Sequence, residues 1–85
     1  MDVADIALKR TCIACPEQYD AINLATNVVI GYLRLRHGHF TVEVPGPFGK
    51  LVYESWPEGD GGFEDDERED ELISAIEAIA NAYPD

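Results

Sequence analysis

The segment VVIGYLRLRHGHFTVEV, residues 28–44, decides the fold because it has the pattern of a β-hairpin. A two-residue loop at His37 and Gly38 pairs Arg36 with His39, and both loop residues tolerate the positive φ of a type I′ turn. One face is then apolar, with Leu33, Leu35, Phe40, Val42 and Val44. The other is polar, with Tyr32, Arg34, Arg36, His39, Thr41 and Glu43. A slip of one residue would exchange the faces, so the sequence predicts this register.

Shorter patterns flank the hairpin. Residues 17–22 alternate loosely and predict a strand, with LATN at 24–27 as the turn that follows. A helix beginning at Pro16 is the competing prediction, because proline is favoured at the first helical position. After the loop VPGPFG, residues 50–56 are rich in strand formers and are predicted to pair with the preceding strand. Residues 5–13 are ambiguous.

The C-terminal segment has the period of an amphipathic helix. Apolar residues recur at i, i+4, i+7 and i+11, namely Leu72, Ile76, Ile79 and Tyr83, and Ile73 and Ala80 widen the stripe. Asp66 and Glu69 have the spacing of a capping box, which predicts a helix start near Asp66. The helix is predicted to end before Pro84.

These elements predict one α+β domain over residues 1–85, because a chain of this length forms a single core. The fold class is a small antiparallel β-meander of three to four strands, with one C-terminal α-helix packed on one face. Its parts are an N-terminal segment at 1–14, the meander at 15–56, a glycine-rich acidic turn at 57–64 and the helix at 65–83.

Charge is confined to one end of the sequence. Residues 1–53 contain five acidic and five basic residues, whereas residues 54–85 contain twelve acidic residues and one base, Arg68. The last third therefore carries the whole formal net charge of −11. This distribution argues against nucleic acid as a direct ligand and favours a protein partner of basic character, or solubility alone.

The acidic residues concentrate in EDDEREDE, residues 64–71. The candidate partner-binding residues are Glu64, Asp65, Asp66, Glu67, Glu69, Asp70 and Glu71. Acids in a first helical turn are stabilised by the helix dipole, but that effect explains only two or three of them. Like-charge i, i+4 pairs cost about 0.2 to 0.5 kcal/mol each, so Glu67, Asp70 and Glu71 are interpreted as an excess that the helix does not need. The excess is either a solvated face or a surface for a partner.

Two groups of side chains suggest small ligands. Arg34, Arg36, His39 and Tyr32 share the polar face of the hairpin and could hold a phosphate or a carboxylate. The competing interpretation pairs either arginine with Glu43 or with the acidic helix. Weak candidates for a tetrahedral zinc site are Cys12, Cys15, His37 and His39. Their spacing is unusual for zinc, buried apolar thiols are the alternative, and no cofactor is predicted.

Four segments resemble a family of small uncharacterised proteins encoded by phages, prophages and their bacterial hosts. They are CPEQYDA at 15–21, GYLRLRHGHF at 31–40, LVYES at 51–55 and PEGDGGFEDDERE at 57–69. The similarity runs from Cys15 to about Ile79, so Cys12 falls outside it. It implies a biological context rather than a chemistry.

The sequence therefore predicts a non-enzymatic phage or prophage accessory protein that binds another macromolecule. A small-ligand or nucleotide-binding module and a zinc-binding module are the alternatives. No apolar run reaches the roughly 18 residues of a membrane span, and no secretory signal pattern is present. We therefore expect no membrane association and a cytoplasmic location, in the host cell if the protein is phage-encoded. The sequence does not indicate an oligomeric state.

Overall fold

A computed structural model describes residues 1–12 and 16–84 and shows an α+β fold. Five antiparallel strands form one sheet in chain order, and a C-terminal helix packs on one face of it. The strands are β1 (Ile6–Cys12), β2 (Glu17–Asn23), β3 (Val28–Arg36), β4 (His39–Val44) and β5 (Lys50–Ser55). The helix is α1 (Asp65–Ala82), and a short 3-10 turn, Val3–Asp5, precedes β1. No helix in the described ranges is long and apolar enough to span a bilayer.

The hairpin has the predicted register. Arg36 pairs with His39, Leu35 with Phe40, and the pairing continues to Tyr32 with Glu43. His37 and Gly38 have φ values of 53° and 73°, as a type I′ turn requires. The apolar face of the hairpin is buried and the polar face is open to solvent. The separation of the two faces therefore fixes the register, as predicted.

The sheet has five strands, so the prediction of three to four was too low. The additional strand is β1, which lies in the N-terminal segment whose pattern was ambiguous. It is an edge strand, and only Ile6 and Leu8 of its side chains pack against the core. Lys9 and Arg10 are exposed, so the alternation of apolar and polar residues in β1 is too short to predict a strand. The strand predicted over residues 17–22 is confirmed as β2, and the competing interpretation of a helix from Pro16 is wrong.

Helix α1 lies mainly over β3, β4 and β5. Gly31 permits this approach, because a Cβ at that position would lie 2.9 Å from Cδ1 of Ile79. Of the predicted stripe, Ile79 and Ala80 are buried and Leu72, Ile76 and Tyr83 pack against the core. Ile73 was wrongly placed in that stripe and is 48% exposed. The core is Ile6, Tyr19, Ala21, Ile30, Leu33, Leu35, Phe40, Val42, Phe63, Ala75, Ile79 and Ala80.

The helix begins two residues earlier than the predicted capping box. Its N-cap is Glu64, whose backbone N–H donates to the Glu67 carboxylate at 2.8 Å. Asp66 and Glu69, which were predicted to form the box, lie inside the helix and are exposed. Both pairs have the same three-residue spacing, so the sequence pattern alone could not choose between them. The loop before the helix makes the choice, because it supplies further donors to Glu67.

Candidate functional site

A buried carboxylate connects the sheet to the glycine-rich turn. Glu17, the first residue of β2, is 1% exposed and faces the helix side of the sheet. Its oxygens accept hydrogen bonds from Nε and Nη2 of Arg68 at 2.9 and 3.2 Å. The Phe63 N–H donates at 3.0 Å, and the Tyr19 hydroxyl is a fourth donor. Each oxygen is therefore satisfied inside the protein, as a buried charge requires.

These contacts change the acidity of the groups involved. Burial alone would raise the pKa of Glu17, but hydrogen bonds from Arg68, Tyr19 and the Phe63 N–H hold it below its usual value. Burial and the neighbouring Glu17 carboxylate raise the pKa of Tyr19. At neutral pH this cluster is therefore an ionised carboxylate paired with a guanidinium and a neutral phenol. A general base needs a free lone pair that faces a cavity. Because both oxygens of Glu17 are hydrogen-bonded inside the protein, we interpret its role as structural.

The backbone of the turn is also fixed to the sheet. The Glu17 N–H donates to the Gly61 carbonyl at 2.8 Å, and the Gly38 N–H donates to the Asp60 carbonyl at 2.7 Å. Gly59 is buried, and a Cβ there would lie 1.9 Å from the Gly62 carbonyl oxygen. The glycines therefore allow a tight loop that joins the start of β2 to the hairpin turn.

Two of the predicted partner-binding acids, Glu67 and Glu71, accept hydrogen bonds within the fold. The Glu67 carboxylate accepts the N–H groups of Glu58, Gly59 and Glu64 at 2.9, 2.9 and 2.8 Å. The Glu71 carboxylate accepts the hydroxyls of Tyr53, at 3.0 Å, and Ser55. The interpretation of both as excess acids was wrong. The sequence could not show this, because the donors lie in the preceding loop and on β5.

We predict that Glu67→Gln lowers the melting temperature by several degrees, while Glu69→Gln has little effect. A glutamine has one acceptor oxygen, so its amide group would face N–H donors that the carboxylate now accepts. Glu69 is exposed and provides a matched loss of charge. Thermal unfolding followed by circular dichroism measures both variants. Equal melting temperatures would show that the carboxylate does not organise the loop.

The other acids of the run remain at the surface. Asp65 pairs with Nη1 of Arg68 at 3.0 Å, and Glu64 is the exposed N-cap. Within residues 1–12 and 16–84, Asp66, Glu69 and Asp70 make neither a hydrogen bond nor an ion pair through their side chains. These three carboxylates are the part of the acidic run that the fold does not use.

An apolar trough lies beside these acids, between helix α1 and the β1 side of the sheet. It consists of two adjoining depressions of about 470 and 290 Å³ that share Ile73 and Ile76. We call it the helix trough; its apolar lining is Val3, Ala4, Leu8, Leu72, Ile73 and Ile76. Asp65, Glu69 and Glu77 line its edges, and Arg68 also borders it. An apolar floor with an acidic rim is typical of a surface that binds another chain.

A separate depression, of about 360 Å³, lies on the face of the sheet opposite the helix trough. We call it the arginine depression; its lining is Arg34, Arg36, His37, His39, Thr41 and Glu43. His39 is stacked on Trp56, with ring centres 4.9 Å apart, and contacts Glu54 Oε1 at 3.1 Å. Tyr32 shares this face, paired with Glu43, but does not line the depression.

The two arginines do not have the partners that one interpretation gave them. The acidic helix lies on the other face of the sheet, and Glu43 makes no ion pair with Arg34 or Arg36 in the described structure. The interpretation that pairs them inside the protein is therefore wrong. Both guanidinium groups are available to a ligand.

The zinc candidates are only partly described. Cys15 lies outside the described residues, and Cys12 ends β1 as a free thiol. His37 is at the exposed hairpin turn and His39 is held between Trp56 and Glu54. In the part of the chain that the structure describes, no three His, Cys, Asp or Glu side chains are placed to hold a metal ion.

Glu17, Leu8 and Trp56 are the site residues that sequence reasoning missed. A signal existed for Glu17, because it has the same phase as Tyr19 and Ala21 on the apolar side of β2. Arg68, the one base in the acidic run, was its natural counterpart. Comparisons of the chain with protein-family models, with curated proteins and with solved structures each found no match.

Proposed function

We propose that this is a non-enzymatic protein that binds a basic, amphipathic segment of another protein in the helix trough. The observation that carries the proposal is that Glu69, a carboxylate that the fold does not use, lines the edge of the apolar trough, and that Asp66 and Asp70, also unused, lie within one turn of it on α1. The remaining acids of the run have partners or cap the helix. A surface that combines apolar and acidic groups is complementary to a segment with apolar and basic side chains.

The dimensions suit a short segment of chain. The trough follows α1 from Asp65 to Glu77, which is about 18 Å at the helical rise of 1.5 Å per residue. That length accommodates roughly five or six residues of extended chain. Ile73 and Val3 are 48% and 47% exposed, and a bound apolar side chain would cover them.

The lining supports binding rather than catalysis. Its polar members are carboxylates and Arg68, and Arg68 is already paired with Glu17 and Asp65. Among the described residues, those that line the trough include no serine, cysteine or histidine that could act as a nucleophile with its base. We further propose a cytoplasmic accessory role, which agrees with the sequence resemblance to phage and bacterial proteins.

The test uses a peptide selected for binding from a displayed random library. We predict that selected peptides combine apolar residues with Lys or Arg. The variant Asp66→Asn, Glu69→Gln, Asp70→Asn should bind such a peptide about tenfold more weakly, because Glu69 at the edge and the two charges beside it on α1 contribute roughly 0.5 kcal/mol each. Wild-type affinity should also fall as salt rises, because the screening length shortens from about 30 Å at 0.01 M to about 8 Å at 0.15 M.

The control removes the same number of charges from the opposite face, through Asp20→Asn, Glu43→Gln and Glu54→Gln. This variant should bind the peptide as the wild type does. Peptides without basic residues, or an equal loss in both triple variants, would overturn the proposal. Isothermal titration calorimetry at two salt concentrations measures all of these affinities.

A further inference from the structure

We propose that the arginine depression binds the phosphate group of a small ligand that also carries a planar ring, as a nucleoside monophosphate does. This site lies on the face of the sheet opposite the helix trough, so the inference is independent of the proposed partner. It rests on the two unpaired arginines, on the donors around them and on the neighbouring Trp56 ring.

The unpaired state of these arginines is unusual in so acidic a chain. The protein has seventeen Asp and Glu residues against six Lys and Arg. Arg68 is paired with Glu17 and Asp65, and Arg10 lies 3.8 Å from Glu17. Arg34 and Arg36 form no ion pair with any described residue, although carboxylates stand on both neighbouring strands. Their charge is therefore not compensated within the described fold.

The spacing of the arginines suits a tetrahedral anion. Positions 34 and 36 are two residues apart on one strand, so their side chains leave the same face about 6.6 Å apart. The fork of one guanidinium engages both oxygens of a carboxylate, whereas the three terminal oxygens of a phosphate monoester can pair with two guanidinium groups. Thr41 lies opposite Arg34 and His39 opposite Arg36, and both line the same depression. The Thr41 hydroxyl thus adds a donor to the same space, whereas Nε2 of His39 already contacts the Glu54 carboxylate.

Trp56 supplies the surface for the ring. One face of its indole is stacked on His39, with an angle of 5° between the ring planes. The residue is nevertheless 69% exposed, which leaves indole surface open to a second planar group. Trp56 does not line the depression itself, but it is stacked on His39, which does and which lies opposite Arg36. An exposed aromatic ring near basic side chains can stack a base while the cations neutralise its phosphate. The contact between His39 and Glu54 fixes the His39 ring on which Trp56 is stacked.

The net charge of the protein does not prevent anion binding here. The acidic helix is on the other side of the sheet, and none of its described carboxylates lines the depression. Glu43 is an opposing charge that lines the depression without pairing with an arginine. Removing this charge should therefore strengthen the binding of an anion.

The experiment titrates adenosine monophosphate, inorganic phosphate and adenosine into the isotopically labelled protein and follows amide chemical shifts. We expect the monophosphate to bind most tightly, phosphate more weakly and adenosine not detectably. Arg34→Ala and Arg36→Ala should each weaken the monophosphate at least tenfold, and Glu43→Gln should strengthen it several-fold. Trp56→Ala should reduce the affinity for the monophosphate but not for phosphate.

Lys9→Ala is the matched control, because it removes an exposed cation of β1 that does not line the depression. It should leave all three titrations unchanged. The proposal is overturned if the monophosphate causes no shifts at millimolar concentration, if adenosine binds as tightly as its monophosphate, or if Lys9→Ala weakens binding as much as Arg36→Ala. Tighter binding of phosphate than of the monophosphate would overturn the role of Trp56.

Discussion

Leu35→Asp is expected to abolish folding, whereas Thr41→Asp on the same hairpin should change the free energy of unfolding by less than about 1 kcal/mol. Leu35 is fully buried beneath helix α1, and an ionised aspartate there would have no partner. The cost of such a charge exceeds the few kcal/mol that stabilise a small domain. Thr41 lies on the open face opposite Arg34, so an aspartate there remains hydrated.

Urea unfolding followed by tryptophan fluorescence and circular dichroism measures both variants. Leu35→Asn separates the effect of charge from that of side-chain shape, because asparagine has nearly the shape of aspartate but no charge. This variant should lose stability, but less than Leu35→Asp. A folded Leu35→Asp variant, or equal losses at both positions, would contradict the register.

The hairpin could be predicted because its information is local. Two runs of alternating residues and a His-Gly turn lie within seventeen residues, and only one register separates the two faces. The same reasoning identified β2, β5 and the helix. These elements bury one face each, and the periods of their apolar residues can be read without knowledge of their neighbours.

Edge position explains why β1 could not be predicted. An edge strand has a partner on one side only, and helix α1 lies mainly over the other half of the sheet. Ile6 and Leu8 are thus the only two side chains of β1 that pack against the core. Two apolar residues in alternation do not distinguish a strand from a loop. Because helix α1 lies over the other half of the sheet, it also leaves the helix trough open beside β1. The position of the helix therefore explains why neither β1 nor the trough was predicted.

The acidic run shows a second limit, because the roles of its members depend on distant groups. Glu67 and Asp70 look equivalent in the sequence, but the loop at residues 58–64 surrounds only Glu67 with N–H donors. Glu71 is held by hydroxyls of β5. Sequence reasoning identified the acidic run, but it could not separate the carboxylates that accept hydrogen bonds within the fold from those that remain exposed.

Removal of either partner of the Glu17–Arg68 pair is the second large expected effect. Arg68→Met should cost about 2 to 3 kcal/mol, because Glu17 would remain charged and buried without its guanidinium. This value is below the usual range for buried pairs because a third of the Arg68 side chain is exposed. Arg10→Met is the matched control: Arg10 is 3.8 Å from Glu17 and more exposed, so its loss should cost less than about 1 kcal/mol.

The double variant Glu17→Gln, Arg68→Met tests whether the two residues act together. The amide is neutral, so the loss of Arg68 no longer leaves a buried charge unpaired, and the double variant should lose less stability than the sum of the two single variants. Additive losses would show that Glu17 and Arg68 stabilise the fold separately. Similar losses for Arg68→Met and Arg10→Met would also contradict the pairing.

The pH dependence of stability gives an independent measure of the same pair. The folded protein holds the pKa of Glu17 below its ordinary value of 4.5, so between these two values the unfolded chain binds more protons than the folded chain. The stabilisation is therefore complete above pH 4.5 and is lost as the pH falls through the lowered pKa. In urea unfolding between neutral pH and pH 3, the free energy of unfolding of Glu17→Gln should decrease less steeply with falling pH than that of the wild type. Some dependence should remain, because the pKa of Glu67 is lowered as well: burial alone would raise it, but the hydrogen bonds from the N–H groups of Glu64, Glu58 and Gly59 together outweigh burial. An unchanged acid limb in Glu17→Gln would mean that this carboxylate is not the charge that ties the glycine-rich turn to the sheet.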